Sequence, residues 1–372
     1  MIFKKTIKKI CATITAGAIG LTLTLPTLPA PAAEAAGIGS AIGIGASVAN
    51  MALQRTEYRK QLKYYNETEE GRQEMLAEMK KEYGVNEDPE LNRRVDKLMG
   101  NLSLAVAKVD PSINDKPYVY FVNASEEINA FCTFGHIMSI NTGILKAFPN
   151  DDEIAVVVGH EMGHGQKDHT FNGAKSNVDK YIIASVGVAA TGNTILGNIV
   201  GNLALTQSIA HGTKDNEKEA DKLSFEYMTH SYYNPGACAA VWQRFLDLYG
   251  DNSQNALGSL FAPSDHPNNA ARRDTYVKLL EEYSNKHVTA KDGNILVNGK
   301  QLMNVAAANG MSSAERSYFA FGNLAKAYHN GQEKESAYVS NGTVYLGSQA
   351  IITPTSGDES AQTIVDRLNS IK

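Results

Sequence analysis

Two histidines four residues apart, His160 and His164, stand in "VGHEMGHGQ", with Glu161 directly after the first. An imidazole offers a metal ion a neutral nitrogen, and a carboxylate serves either as a negative oxygen ligand or as a base. On a helix, positions i and i+4 point about 40° apart, so both rings can reach one ion, while Glu161 stands about 60° from His164, beside the pair. That spacing suits zinc-dependent hydrolysis, with two imidazoles on the metal and a glutamate that takes a proton from the attacking water. A catalytic zinc needs a third protein ligand and an open position. Some fifty residues on, "NEKEADKLSFEYM" carries two carboxylate pairs at i, i+4 spacing. Asp215 and Glu219 run on into Lys222 and Glu226, a solvated face. Glu217 and Asp221 run on into Ser224 and Met228, beside Ala220, Leu223 and Tyr227, a face able to turn inward. Glu217 therefore reads as the third ligand, and Asp221 as the acceptor for the outer N–H of a liganding histidine. His136, His169, His211 and His230 read as ordinary polar positions, His169 being close to the metal helix.

These residues need elements to hold them. "FPNDDEIAVVV" supplies a helix start: Pro149, then Asn150 as N-cap, Asp151 and Asp152 at the positive end, and Glu153 at the capping-box position. Upstream, Leu91, Val95, Leu98, Leu102 and Val106 recur at three- and four-residue steps, an amphipathic helix. The stretch from Gly37 to Leu53 reads as a small-residue helix leading into the charged segment from Arg55 to Gly84. "KPYVYFVNA" and "HIMSINTG" are short β-rich runs on either side of "SEEINAFCTFG", which predicts a small antiparallel sheet. Residues 181 to 210 carry no charge, yet Gly, Thr and Asn dilute them, which favours a buried or lid-like pair of helices over a membrane span. From about Asn285 the style changes: "DGNILVNGKQL" signals a hairpin, "ERSYFAFGNLAKAYHNG" reads as strand then helix, and "GTVYLGSQAIITPT" as another strand pair. The fold class is α+β: a mainly helical domain with a small antiparallel sheet at residues 36–284, then a small separate α/β module at residues 285–372. No internal repeat is evident.

Residues 1–35 place Lys4, Lys5, Lys8 and Lys9 before an uncharged stretch and an Ala/Pro-rich end, the layout of a secretory signal peptide. The formal charge is −5, and removing this segment, with four lysines and one glutamate, leaves −8. An acidic chain of this kind is a poor nucleic-acid binder, so no nucleic-acid partner is expected. Export, to a periplasmic or extracellular space, leaves Cys132 and Cys238, which could form one disulfide or remain two buried thiols. Contact with a membrane is compatible with the sequence and not required by it. A purely structural zinc is disfavoured, because closed sites take four ligands, commonly cysteines, and none are suitably spaced.

"HEMGH", the later "EKEAD" and the still later "DHPNNAAR" together resemble the CAAX prenyl endopeptidase-like family of zinc metallopeptidases, in its soluble exported branch. "NAFCTFGHIMSINTGIL" is similar to that family's strand-and-turn segment ahead of the metal helix, and the resemblance covers roughly residues 75 to 280. It implies a gluzincin fold, one zinc (Zn2+) per chain held by His160, His164 and Glu217, Glu161 as the base, and endopeptidase chemistry on protein substrates. The family also places a His-Pro pair before an arginine, matched by His266, Pro267 and Arg272. His266 is then expected to reach the site, either donating to the oxyanion or filling the open zinc position and keeping the enzyme latent. Substrate is expected as an extended strand against an edge near Asn129, Ala130 and Phe131, or near Ile137 to Ile140. The expected role is an exported zinc metalloendopeptidase acting on unfolded or misassembled proteins in envelope quality control. The alternative is an exported chaperone or assembly factor with a mostly latent zinc site.

Overall fold

The computed structural model describes residues 39–148, 150–180, 182, 195–201, 203, 213–251 and 269–372. The expected signal peptide at 1–35, Pro149, His211, His266 and most of the uncharged segment 181–210 lie outside the described residues. Contacts divide the chain into two units, Met1–Met51 and Ala52–Lys372. In the first, the described residues are helical from Gly39. Among the described residues no helix is long and apolar enough to cross a membrane.

Helix α1 (Gly39–Glu67) gives way to α2 (Glu69–Tyr83) at Thr68, whose side chain accepts from the Gly71 N–H and so caps the second helix. Helix α3 (Pro89–Val109) starts as its sequence dictates, with Asp88 accepting from Glu90 and Leu91 N–H groups and Pro89 in the first turn. Its stripe Val95, Leu98, Met99, Leu102 and Val106 is buried in the main core. A fully buried leucine such as Leu102 contributes about 1.5–3 kcal/mol.

The first sheet holds β1 (Val119–Asn123), β2 (Ala130–Thr133) and β3 (Ile137–Asn141) in the order β1-β3-β2. It is mixed rather than purely antiparallel: β3 runs antiparallel to β2 and parallel to β1. The parallel pairing arises because β2 and the Gly135–His136 turn, both residues at positive φ, intervene and return the chain in its original direction. Two consequences follow for the expected substrate edges. Ile137–Ile140 is central, with both edges already paired, so it cannot receive another strand. Strand β2 is an edge of the sheet.

Three short helices, α4 (Thr142–Ala147), α6 (His169–Ser176) and α7 (Ile195–Gly201), accompany the longer α5 (Asp151–Gln166), α8 (Lys214–His230), α9 (Ala237–Tyr249) and α10 (Asn269–Tyr283). Among the described residues, the further strands and α-helices are β4 (Val288–Lys291), β5 (Asn294–Val297), β6 (Lys300–Asn304), α11 (Ser313–His329), β7 (Ala337–Ser340), β8 (Thr343–Leu346), β9 (Gln349–Ile352) and α12 (Ala361–Ile371). "SYFAF", which reads as a strand by its aromatic residues, is instead the start of α11: Ser312 caps it by accepting from Glu315 N–H, and Tyr318 and Phe321 are buried on its inner face.

This last part is a repeat that the sequence reading missed. Two antiparallel three-stranded meanders, β4-β5-β6 and β7-β8-β9, are each followed by a serine-capped helix. Both central strands shift register at equivalent points, Ile295/Leu296 and Val344/Tyr345. Both first turns put an acidic or amide residue and a glycine at positive φ, Asp292–Gly293 and Asn341–Gly342, as a tight hairpin requires. Helix α11 packs on β4, β5 and the other copy's β9, while α12 packs on β7, β8 and the other copy's β6. The apolar core runs without interruption from Val95 on α3 to Leu368 on α12.

Candidate metal centre

Helix α5 begins where expected. Asn150 accepts from the Asp152 N–H at 2.9 Å, and Asp151 and Asp152 stand at the positive helix end. Glu153, however, does not close a capping box. It is wholly buried, and Arg244 on α9 holds its carboxylate at 2.9 and 3.2 Å while also reaching Glu315 on α11 at 2.6 Å. The helix thus gains a tertiary ion pair at the position where a local cap was expected.

Helix α8 packs closely along α5, and small residues set the approach. A methyl group on Gly163 would meet the Ala220 backbone at 3.1 Å, and one on Gly159 would meet Ser224 Oγ at 3.3 Å. Ser224 fixes the register by donating to the Val156 carbonyl at 2.8 Å. With the helices at this separation, Glu217 and Asp221 face the two histidines.

His160 Nε2 and His164 Nε2 lie 3.1 Å apart. Glu217 places Oε2 at 3.3 Å from the first and Oε1 at 3.2 Å from the second. A tetrahedral ion with bonds of about 2.0–2.1 Å separates its donor atoms by about 3.3 Å, so the three residues fit zinc in both donor type and spacing. All three are buried. Burial alone would strip a proton from His160, yet the carboxylates of Glu217 and Asp221 outweigh it and raise the ring's pKa to about 9. The field at this point favours positive charge.

His160 is also held from behind. His160 Nδ1 donates to Asp221 Oδ1 at 3.0 Å, and Asp221 in turn accepts from Arg272 Nε at 2.9 Å, from the second Arg272 nitrogen, and from the Tyr276 hydroxyl at 2.9 Å. Arg272 stands over Trp242, its guanidinium carbon 3.8 Å from a ring centroid. That buried cluster holds the Asp221 carboxyl below the ordinary range against the effect of its burial. Glu161, 1% exposed, accepts from the Cys132 backbone N–H at 3.2 Å, so the edge strand β2 positions it. The Cys132 carbonyl receives the Thr170 hydroxyl at 3.3 Å. Cys132 and Cys238 are both buried free thiols, which excludes the disulfide alternative in this structure.

The structure therefore brings together His160, His164, Glu217, Glu161, Asp221 and Arg272. Asn129, Ala130 and Phe131 are on or next to the same strand as Cys132. Because main-chain groups alternate along a strand, Ala130 directs its N–H and C=O to the same side as Cys132, away from β3. His266 lies outside the described residues. Sequence reasoning missed Trp242 and Tyr276, and it read His169 as an ordinary polar position although its closeness to the metal helix merits a check. His169 is buried, and its Nδ1 is 2.9 Å from His164 Nδ1. On an unbroken helix, five residues would turn it about 140° away from His164. Instead α5 ends at Gln166, and Asp168, at φ 49°, turns the chain back.

The model of peptidase family M48 matches residues 86–278, more than half of the chain, and includes every one of the residues just placed around the metal position. The chain belongs to peptidase family M48. Among curated relatives it is 27% identical over 167 residues to the metalloprotease LoiP of Escherichia coli, covering 43% of this chain and 62% of that one. It is 25% identical over 146 residues to the beta-barrel assembly-enhancing protease of the same organism, covering 35% and 28%. It is 26% identical over 180 residues to the mitochondrial metalloendopeptidase OMA1 of Saccharomyces cerevisiae, covering 46% and 51%. The M48 chain thus matches less than two thirds of each of these relatives' lengths.

Proposed function

We propose that the protein is a zinc-dependent metalloendopeptidase, exported by residues 1–35 and acting on unfolded or misassembled proteins in envelope quality control. The single observation that carries this reading is the convergence of His160, His164 and Glu217 at tetrahedral spacing, the histidines on a helix whose Glu161, next to His160 in the chain, is held by the Cys132 N–H. The beta-barrel assembly-enhancing protease among its relatives supports the quality-control role. Within M48, the "EKEAD" and "DHPNNAAR" segments support placement in the CAAX prenyl endopeptidase-like, soluble exported branch.

One zinc bound by the three ligands supplies Lewis-acid chemistry, acidifying water and polarising a peptide carbonyl. Glu161, held by the Cys132 N–H, takes the proton of the attacking water and returns it to the leaving amine. Asp221 fixes the tautomer of His160, so that Nε2 faces the metal. The β2 edge at Ala130 receives an extended substrate by main-chain pairing. A peptide substrate methylated on the backbone nitrogen that pairs there should show a raised KM, and an unchanged KM removes that edge from the binding site. Residues 36–284 carry the chemistry, and residues 285–372 brace the metal helix through Glu315 and Arg244.

Zinc stoichiometry and casein hydrolysis test the whole reading. Glu161→Gln should keep its zinc and lose turnover by about 10²-fold or more, as expected of a general base. Persisting hydrolysis would show that Glu161 is not the base. His266→Ala should change turnover by about tenfold or more in either direction, and an equal rate removes His266 from the site.

The near-complete burial of the triad favours one second reading, an exported chaperone or assembly factor with a mostly latent zinc site. That protein would bind unfolded clients equally well with Glu161 replaced.

A further inference from the structure

The two histidine ligands are supported differently. His160 donates directly to a buried carboxylate, Asp221, whereas His164 meets a second imidazole. His169 Nδ1 stands 2.9 Å from His164 Nδ1, and His169 Nε2 stands 3.2 Å from Glu219 Oε2. With His164 Nε2 directed at the metal position, the neutral ring carries its proton on Nδ1. That proton can be shared with His169 only if His169 Nδ1 accepts, which leaves the His169 proton on Nε2, pointing at Glu219. The direction of both hydrogen bonds is then fixed: His164 donates to His169, and His169 donates to Glu219.

We infer that His169 and Glu219 are positioning residues for the zinc ligand His164, with His169 carrying the influence of a half-exposed carboxylate to a buried imidazole. The inference rests on the zinc reading given above. Glu219 belongs to the solvated face of α8, and its side chain is 48% exposed, yet it lies two residues from Glu217 and, through His169, ties the outer surface of that helix to the metal site. The geometry also explains why α6 begins at His169, directly behind α5, with Thr170 holding the Cys132 carbonyl. One two-residue turn therefore serves both the strand that holds Glu161 and the ring that holds His164.

The test uses the full mature chain and zinc itself, with competition against a chromogenic chelator to obtain Kd. His169→Phe should weaken zinc about 10- to 100-fold, His169→Asn should recover part of that loss, and Glu219→Gln should weaken zinc by a smaller factor. The visible spectrum of the cobalt-substituted protein should shift in the same order, since it reports the ligand field at the ion. A merely structural His169 would lower the thermal midpoint of the metal-free protein while leaving Kd and the cobalt spectrum as they were, and that result overturns the inference. Glu219→Gln changes a half-exposed side chain and keeps the test usable should His169→Phe not fold. Wild type that binds no zinc overturns the metal reading and this inference together. Wild type that binds zinc, with all variants within twofold, overturns only the inference.

Discussion

Asp221 answers to three groups at once: it accepts from His160, from Arg272 and from Tyr276, all of them buried. Removing its charge leaves the Arg272 guanidinium buried against Trp242 without its bidentate partner, and removes the acceptor that sets the His160 tautomer. Asp221→Asn should therefore lower stability by about 3–5 kcal/mol in urea unfolding, the range for breaking a buried pair. It should also weaken zinc by about 10- to 100-fold. A variant that binds zinc like wild type would show that His160 needs no acceptor behind it. The residues that converge on the candidate metal position were legible from type and spacing: the paired histidines, and the inward face of "EKEAD". Trp242 and Tyr276 were not, because their link to Asp221 is made across helices that share no sequence pattern with the metal helix.

Among the elements, the contact between α5, α9 and α11 has the most direct pH signature. One guanidinium, Arg244, faces two buried carboxylates, Glu153 and Glu315, so ionising both leaves an excess negative charge in the interior. Burial, then the charge of Glu153, push the Glu315 carboxyl up to about 7 against the pull of Arg244. Its folded pKa lies above the ordinary carboxylate value, so the stabilising contribution is complete below about pH 4.5 and is lost as the pH rises through about 7. Thermal midpoints measured from pH 5 to 8 should fall for wild type and fall less for Glu315→Gln, with the variant the more stable at pH 8. Parallel curves would mean that Glu315 is ionised throughout. Element types were readable wherever one periodicity dominated, as in α3, α5 and the β5–β6 hairpin. They were misread at α11, where aromatic residues fitted a strand equally well until Ser312 and the core chose the helix. Glu153 sat correctly for a local cap, but no sequence rule could show that Arg244 was closer.

At the scale of the molecule, the uninterrupted core means that the chemistry-bearing helices rest on residues beyond 284. Wild type should unfold in a single cooperative transition, and a chain ending at residue 284 should lose it and expose the faces of α9 and α10 that α11 covers. Dye binding to exposed apolar surface should report this, and cooperative, wild-type-like unfolding would show that the first part folds alone. The change of style near Asn285 was readable in the sequence, but the kinship of the two halves that follow was not. What they share is turn geometry, a register shift and alternating burial, and these survive while side chains change. The reciprocal seating of α11 on β9 and α12 on β6 has a consequence of its own. A polypeptide with only one half would keep its final strand bare and could cover it only by trading helices with a second molecule, so it would assemble as an obligate pair whose melting depends on concentration. Joining the halves in tandem turns that encounter into an intramolecular event and makes the assembly independent of dilution.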